Sequence, residues 1–243
     1  MRMREFLAAA AAVLSTGLAP AMAQDWSGQI TPYVWGAGLG GDVTPFAGAP
    51  TLSFDKSLSE VLEDTDGAFF LSGFARRDRL VLMGDLSWST SSKAGTLPPG
   101  LPAEGKVTQR SLTLLAGWRA VSNDRMTLDA LAGARAWRVK GRISVAGGAR
   151  SASPGKDFVD PIVALRANVT LAPQWSAILY ADVGGFGAGS EHTSQFLATV
   201  NYQVTDQLYV SAGYRQLNVD YRDGGTRLDV TMAGPILGAT WRF

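Results

Sequence analysis

The stretch SEHTS, residues 190–194, contains the single histidine of the chain. Ser194 follows His192 by two positions and Glu191 precedes it, which brings together a hydroxyl nucleophile, an imidazole base and a carboxylate. Residues two apart in a strand project from the same face, so contact between the His192 and Ser194 side chains is geometrically possible. These groups could hydrolyse an ester. The alternative interpretation is a solvated histidine in a loop.

A second set of charged residues falls on positions that alternate with apolar ones. Four of its members are acidic and five are basic, so their charges almost cancel. We expect them to pair and fill a narrow polar interior, because an unpaired buried charge costs several kcal/mol. A water-filled pore with balanced charges is the alternative. The set comprises Asp85, Arg119, Asp129, Arg135, Asp160, Arg166, Asp182, Arg215 and Arg242.

One pair within this set can be predicted directly. Arg119 and Asp129 flank the same tight turn at 121–125 and fall nearly opposite each other, so we expect an ion pair between them.

Two glycine-containing stretches are interpreted as backbone features. YRDGGT, residues 221–226, predicts a turn in which Gly224 and Gly225 adopt positive φ. GAGLGG, residues 36–41, lacks the strand-to-helix context of a phosphate-binding loop and is interpreted as a loop.

Acidic residues surround the predicted turn at 221–226. Protease chemistry of the omptin type would need such acids around a histidine, and a calcium site is a weaker alternative. We expect these acids to belong to a solvated turn instead. They are Asp220, Asp223 and Asp229.

Composition excludes several classes of function. The chain has no cysteine, so disulfides and thiolate metal sites are impossible. Its 22 basic and 21 acidic residues leave no positive surplus for nucleic acid. We therefore expect no cofactor, no metal site and no nucleic-acid partner.

The first 23 residues have the features of a secretory signal peptide. Arg2 and Arg4 are followed by an apolar run from Phe6 to Leu18, and Ala21-Met22-Ala23 is a small-residue cleavage site. We expect removal of residues 1–23, which leaves one domain at 24–243.

Ten stretches of alternating apolar and polar residues follow. Most have ten or more residues, the length that a tilted strand needs to cross a bilayer. Short and long links alternate between them, as in transmembrane β-barrels. The pattern predicts an all-β fold, a transmembrane antiparallel β-barrel of about ten strands, with eight or twelve as alternatives. The stretches are 26–37, 67–76, 80–90, 106–120, 126–140, 157–170, 174–186, 193–204, 207–220 and 227–243.

The first long link is expected to contain local structure. Ser57 and Glu60 have capping-box spacing and predict a short helix over Leu58–Glu63. The preceding TLSF, residues 51–54, could form a brief extra strand.

Aromatic residues near the predicted strand ends suit the two interfaces of a membrane. We expect Trp241 and Phe243 in the inner interfacial belt, since both lie on the apolar face of the last strand. Six further aromatics are candidates for the belts: Tyr33, Trp35, Trp88, Trp118, Tyr202 and Tyr214.

The last strand also resembles the C-terminal signal that the outer-membrane assembly machinery reads. Gly238, Trp241 and Phe243 match that signal, whereas Ile236 departs from its polar position.

Several longer segments resemble a family of small outer-membrane β-barrel proteins of Gram-negative bacteria. They are TPYVWGAGLGGDV, SFDKSLSEVLED, FVDPIVALR, DVGGFGAGS, GYRQLNVDYRDGG and LDVTMAGPILGATWRF. The resemblance implies a barrel in the bacterial outer membrane, with membrane lipids and the assembly machinery as partners. It implies no activity and leaves the oligomeric state open.

Two functions are therefore carried forward. The first is a non-enzymatic barrel, structural or porin-like, with outer loops available for surface interactions. The second is an envelope-lipid hydrolase using His192 and Ser194, whose His-x-Ser spacing resembles that of the lipid A deacylases.

Overall fold

The computed structural model describes residues 26–44, 47–48, 51–97, 100–145, 150–153 and 155–243. The predicted signal peptide, residues 1–23, lies outside them. The described strands are, in chain order, β1 (Ser27–Trp35), β2 (Gly38–Thr44), β3 (Leu52–Lys56), β4 (Thr65–Arg77), β5 (Leu80–Leu97), β6 (Leu101–Ser122), β7 (Met126–Val145), β8 (Arg150–Ala152), β9 (Gly155–Ala172), β10 (Trp175–Gly185), β11 (His192–Gln203), β12 (Leu208–Asp223) and β13 (Thr226–Arg242), with helix α1 (Leu58–Asp64) between β3 and β4.

Ten of these strands form a closed antiparallel barrel, which confirms the predicted fold and strand number. The barrel runs β1-β4-β5-β6-β7-β9-β10-β11-β12-β13, and β13 pairs back onto β1 from Gln29↔Arg242 to Trp35↔Ile236. Gly28 and Phe243 exchange backbone hydrogen bonds of 2.9 and 3.0 Å at the start of this closing pair. The barrel therefore has no unpaired edge along the closing strand, which is how a spanning sheet satisfies its backbone groups.

The alternation in the sequence becomes an apolar exterior and a polar interior. On β10, Leu179 and Val183 are exposed on the outside, whereas Tyr180 and Asp182 are buried inside. The same pattern repeats on β13, where Leu237 and Trp241 face outward. An apolar exterior of this kind suits hydrocarbon, and its inward neighbours form the core.

The strands are linked by short turns at one end and by long hairpins at the other, here called the short-turn end and the long-hairpin end. Arg77–Leu80, Ser122–Met126, Ala172–Trp175 and Gln203–Leu208 bound the short turns. No described helix has the length and hydrophobicity needed to cross a membrane.

At the long-hairpin end, β2 continues the path of β1 along β13. Gly36 donates its N–H to the Pro235 carbonyl at 2.9 Å, and pairing then runs from Ala233↔Gly38 to Arg227↔Thr44. The interpretation of residues 36–41 as a loop is therefore wrong from Gly38 onward. The reason is that β13 extends beyond the apolar region and offers a free edge, which β2 satisfies although it lacks apolar alternation.

Strand β3 pairs with the other edge of β2, and this confirms the extra strand predicted near residues 51–54. Helix α1 follows and also confirms its prediction, one residue longer at its C-terminal end. The Ser57 hydroxyl accepts from the Glu60 N–H, and the Glu60 carboxylate accepts from the Ser57 N–H at 2.8 Å. This is a complete capping box.

Helix α1 occupies the space between β3 and β5, where no described strand lies. Asp64, at its last position, accepts from Lys56 of β3 at 2.5 Å and from Lys93 of β5 at 3.3 Å. The hydrogen bond from Lys56, followed by that from Lys93, holds the pKa of Asp64 below its usual range. Side chains therefore join β3 to β5 through α1.

Two links are shorter than predicted because their hairpin strands continue past the apolar region. Pairing of β5 with β6 extends to Leu97↔Leu101, and pairing of β6 with β7 extends to Ala103↔Val145. Links 91–105 and 141–156 are therefore largely strand. Hairpin pairing in water needs no apolar face, so alternation ends before the hydrogen-bond ladder does.

Candidate functional site

The predicted interior charges all project from the inward face of their strands. At the short-turn end, Asp129 is fully buried and lies opposite Arg119 on β6 and Arg166 on β9. Its carboxylate accepts from Arg119 at 2.7 and 3.2 Å and from Arg166 at 3.4 Å. The Arg166 guanidinium also lies 4.3 Å from the ring centre of Phe74. The Asp129 carboxylate on β7 thus pairs with a cation on each of its two neighbouring strands, β6 and β9.

A second group lies further along the barrel and centres on Arg135. Its guanidinium donates to Asp182 at 2.5 and 3.3 Å, to Thr113 at 3.0 Å and to Thr193 at 3.3 Å. The Tyr180 hydroxyl donates to the same Asp182 carboxylate at 2.6 Å. Arg135 and Asp182 are both buried, and their charges are satisfied across several strands.

A third group centres on Arg215. It donates to Gln195 at 2.7 Å, to Asp85 at 3.2 Å and to the Tyr33 hydroxyl, which itself donates to Asp85 at 2.8 Å. The guanidinium also lies 4.5 Å from the ring centre of Trp35. These contacts link β12 to β1, β5 and β11 across the interior.

Asp160 is fully buried but is held by neutral donors. The indole N–H of Trp137 donates to it at 3.1 Å, and the backbone N–H of Ser190 donates at 2.6 Å. Strand β10 ends at Gly185, so the residues that follow β10 lie next to this carboxylate. Asp160 thus tethers the link between β10 and β11 to the barrel wall.

Arg242 lies at the short-turn end, where it stacks on Tyr209 at 3.8 Å and donates to Gln29 at 3.3 Å. Within the described residues it forms no ion pair. The nine charged residues therefore form two ion pairs and one group of three, and two of them stand apart. The pairs are Arg215–Asp85 and Arg135–Asp182, the group of three is Asp129 with Arg119 and Arg166, and the separate residues are Asp160 and Arg242.

Aromatic and apolar side chains fill the interior towards the long-hairpin end. Tyr33 stacks on Phe70 at 5.3 Å, and Phe158 stacks on Tyr221 at 4.3 Å. We call this group the aromatic layer. Its buried members are Tyr33, Trp35, Phe70, Trp137, Leu217, Val219, Tyr221, Met232 and Ile236.

The aromatic layer corrects one prediction. Tyr33 and Trp35 do not face a membrane interface, because they share the inward side of β1 with Gln29 and Thr31. Trp118 and Tyr214 are exposed on the exterior, and Trp88 and Tyr202 lie there half-buried.

A cavity of about 90 Å³ lies between the Asp129 group and the Arg215 group, because Arg166 lines it from one and Asp85 and Arg215 line it from the other. Polar residues such as Thr31, Gln195 and Asn201 line it beside Phe74 and Leu197. Its volume holds a few water molecules. It is far smaller than the sites of about 300 Å³ or more that hold drug-sized ligands.

His192 and Ser194 do not face this interior. They lie on the outward side of β11, whereas Thr193 and Gln195 between them point inward and are buried. The Ser194 hydroxyl accepts from the Asn218 amide at 3.2 Å, and no hydrogen bond joins it to His192. The groups share a face, as their spacing predicts, but they form no nucleophile–base pair.

Of the acids near the last hairpin, Asp220 and Asp229 also lie on the outward side, whereas Asp223 shares the side of β12 that carries Tyr221. His192 is opposite Asp220, which is opposite Asp229, which is opposite Asp42. Asp220 pairs with Arg222 at 2.8 Å and Asp229 pairs with Arg227 at 3.1 Å. No group of three metal-ligating side chains is found among the described residues. We call Asp42, Asp220 and Asp229 the acidic row.

The turn at the end of this hairpin forms as predicted. Gly224 and Gly225 have φ of 56° and 79°, the values of a two-residue hairpin turn with two positive φ angles. Asp223 accepts from Lys156 at 2.9 Å, and this hydrogen bond lowers the pKa of Asp223 and raises that of Lys156.

The three residues of the predicted assembly signal lie beside the closing pair. Trp241 and Phe243 are exposed on the exterior, and Gly238 faces inward against Ser211 and Thr31. The Phe243 ring covers Gly28, where a Cβ would approach it to 2.6 Å.

A group of cations on the outward face of β6 and β7 was not predicted from the sequence. Lys106 and Arg110 share the side of β6 that carries Leu112, and the β7 cations share the side that carries Ala136. Continuing the alternation past the apolar region would have found them. We call Lys106, Arg110, Arg138, Lys140 and Arg142 the basic ladder.

Comparison with known proteins identifies the fold alone. No family model and no curated protein matches the sequence. Among solved structures, the outer membrane protease OmpT from Escherichia coli is similar with a TM-score of 0.52 and 11% identity, covering 94% of this chain and 100% of OmpT. The translocator domain of the autotransporter NalP from Neisseria meningitidis has a TM-score of 0.50 and 14% identity, covering 99% of this chain and 95% of that domain.

Both proteins are bacterial outer-membrane β-barrels, and this chain shares their fold. Together with the apolar exterior, the fold is that of an outer-membrane protein.

Proposed function

We propose that this protein is a non-enzymatic outer-membrane barrel whose interior is filled and does not conduct ions. Its long-hairpin end faces the cell exterior and its short-turn end faces the periplasm, as is general for barrels with this division of link lengths. The protein then serves as a rigid support for the outer parts of β5, β6, β7, β12 and β13, which continue beyond the apolar region.

The observation that supports this proposal is the succession of direct contacts across the interior. The Asp129 group, the Arg135 and Arg215 groups and the aromatic layer follow one another from the short-turn end to the long-hairpin end. Arg215 alone contacts residues of three other strands. A conducting pore would need a continuous water-filled path, whereas the cavity among these contacts has a volume of only about 90 Å³.

The porin-like alternative differs in the state of the aromatic layer. Phe70 packs against both Tyr33 and Trp35, at 5.3 and 6.2 Å between ring centres. These rings carry no ion-pairing groups of their own, and separating them would expose apolar surface to water. Opening a pore would also break the contact between Arg215 and the Trp35 ring, which adds to that cost.

The hydrolase alternative lacks an assembled site. His192 and Ser194 point to the exterior, and the Ser194 hydroxyl is held by Asn218 rather than by an imidazole. A general base must lie within hydrogen-bonding reach of the proton that it removes. OmpT is named as a protease, but a likeness of fold alone does not transfer that activity to this chain.

Single-channel recording in planar bilayers tests the proposal. We expect no discrete conductance steps from the wild-type barrel, and we expect steps from the triple variant Trp35→Ala, Phe70→Ala and Tyr221→Ala, which removes much of the aromatic layer. Heat-modifiable migration on gels would verify that both proteins are folded barrels. Discrete steps from the wild type would overturn the proposal of a filled interior.

A further inference from the structure

We propose that the basic ladder binds the phosphate groups of a phosphorylated lipid in the outer leaflet of the membrane. The proposal rests on the outer-membrane placement and orientation given above, and it is independent of whether the barrel conducts. Its five cations lie on the exterior wall, separate from the interior groups that fill the barrel.

The strand register brings like charges together. Lys106 lies directly opposite Arg142, and Arg110 lies directly opposite Arg138, with Thr108 opposite Lys140 between them. Like charges directly opposite each other on a sheet destabilise it. In each row one cation, Lys106 or Arg138, has an acidic partner, and an anion bound between the cations would offset the repulsion that remains.

Few of these charges are neutralised within the protein. Arg138 pairs with Asp157 at 2.7 Å, and Lys106 pairs with Asp66 at 3.2 Å. Arg110, Lys140 and Arg142 form no ion pair with any described residue. This face therefore keeps a positive charge that a phosphate could neutralise.

The height of the ladder on the barrel identifies the source of the phosphate. Arg110 is two residues beyond Leu112 on the same side of β6, and Arg138 is two residues beyond Ala136 on β7. Residues 110–118, from Arg110 to the exposed Trp118, span about the nine residues that a tilted strand needs to cross the hydrocarbon. The cations thus lie at the depth of lipid headgroups.

The surface next to the ladder has the shape and the chemistry for a headgroup. A groove of about 490 Å³ is lined by the cations together with the hydroxyl-bearing Thr108 and Ser153. Directly below it, the row Leu86, Leu112, Ala136 and Val159 continues the apolar exterior. A lipid can place its phosphates in the groove and its acyl chains on this row, which a free phosphate ion cannot do.

The opposite side of the barrel carries acidic residues beside its basic ones. The acidic row lies on β2, β12 and β13, on the exterior near the long-hairpin end. There Arg222 and Arg227 are neutralised by Asp220 and Asp229, whereas three cations of the basic ladder have no acidic partner among the described residues. An anionic lipid would therefore be held at β6–β7 rather than at the acidic row.

A binding assay in detergent micelles tests the proposal with three probes: phosphorylated lipid A, the same lipid after enzymatic dephosphorylation, and inorganic phosphate. The variant Arg110→Gln, Lys140→Gln, Arg142→Gln removes the three unpaired cations. The matched control, Arg76→Gln, Arg79→Gln, Arg125→Gln, removes the same charge at the short-turn end. Heat-modifiable migration of each variant verifies that the barrel is folded.

We expect the wild type and the control to bind phosphorylated lipid A, with binding weakened about 100-fold in the ladder variant at low salt, since each cation near an anionic headgroup contributes about fivefold. We expect weak binding of the dephosphorylated lipid and no competition from millimolar phosphate. Equal binding by the ladder variant, or equal binding of the dephosphorylated lipid, would overturn the proposal. Competition by phosphate alone would also overturn it, in favour of a free-anion site.

Discussion

Arg135 and Asp160 lie directly opposite each other on β7 and β9, but they do not form an ion pair. Arg135 reaches Asp182 on β10 instead, and Asp160 accepts from Trp137 and from the backbone of Ser190. Each charge thus has a partner that is not its neighbour in the ladder. The interior is assembled by contacts across the barrel as much as by contacts along the sheet.

Replacing Asp160 by Asn should loosen the link between β10 and β11. A hydrogen bond to a charged acceptor contributes about 1.5–3 kcal/mol, so exchange of the Ser190 amide hydrogen should accelerate at least tenfold. Hydrogen exchange read by mass spectrometry or NMR measures this. Asp157→Asn, on the same strand but facing outward, is the control and should leave Ser190 unchanged. Unaltered Ser190 protection in the Asp160 variant would contradict the proposed tether.

Replacing Asp129 by Ala should strongly destabilise the barrel, because Arg119 and Arg166 would lose their shared carboxylate. Removing one partner of a buried ion pair costs about 3–5 kcal/mol. Denaturant unfolding of the barrel, followed by tryptophan fluorescence, measures the change in the free energy of unfolding. Asp157→Ala, which removes the exposed pair with Arg138, should cost no more than about 1 kcal/mol. Equal losses for the two variants would show that the Asp129 group is not a stabilising unit.

Acid should unfold helix α1 before it affects the barrel. Hydrogen bonds from the Ser57 side chain and then from its backbone lower the pKa of Glu60 below the ordinary value of 4.5. Because the folded pKa is the lower one, the stabilisation is complete above pH 4.5 and is lost as the pH falls through the folded value. NMR chemical shifts of residues 57–64 report this transition. Glu60→Gln should reduce its pH dependence and leave the contribution of Asp64, whose pKa is also lowered. An unchanged acid transition in that variant would show that Glu60 does not contribute to it.

Replacing His192 by Ala should leave the lipids of the cell envelope unchanged. The imidazole lies on the exterior and is not hydrogen-bonded to Ser194, so it has no nucleophile to activate. Mass spectrometry of lipid A from cells that produce the wild type, the variant or neither protein measures the effect. A deacylated lipid that appears with the wild type and disappears with the variant would establish the hydrolase alternative.

The barrel could be predicted from the sequence because hydrocarbon imposes a strict rule on alternate residues. Leu179 and Val183 must be apolar, while Tyr180 and Asp182 between them are free to be polar. Outside the membrane, outward-facing positions do not have to be apolar. For this reason the pattern missed β2 and the outer parts of β5, β6 and β7, which pair through backbone hydrogen bonds without an apolar outward face.

The candidate interior site was only partly predictable. The inward positions of the nine charges follow from alternation, and the contact between Arg119 and Asp129 follows from their turn. The partners of Arg215 do not, since Tyr33 and Asp85 approach it across the interior from distant strands. Such approaches depend on strand tilt and barrel width, which no local pattern records.

The wall of the barrel is closed by different interactions inside the membrane and at the long-hairpin end. Between β1 and β13 the closure consists of backbone hydrogen bonds, whereas between β3 and β5 it consists of the attraction of Lys56 and Lys93 to Asp64 on α1. Counter-ions screen exposed charges such as Lys93 and leave an amide ladder intact. High salt should therefore separate β3 from β5 at the long-hairpin end, while the backbone pairing of β1 with β13 inside the membrane persists.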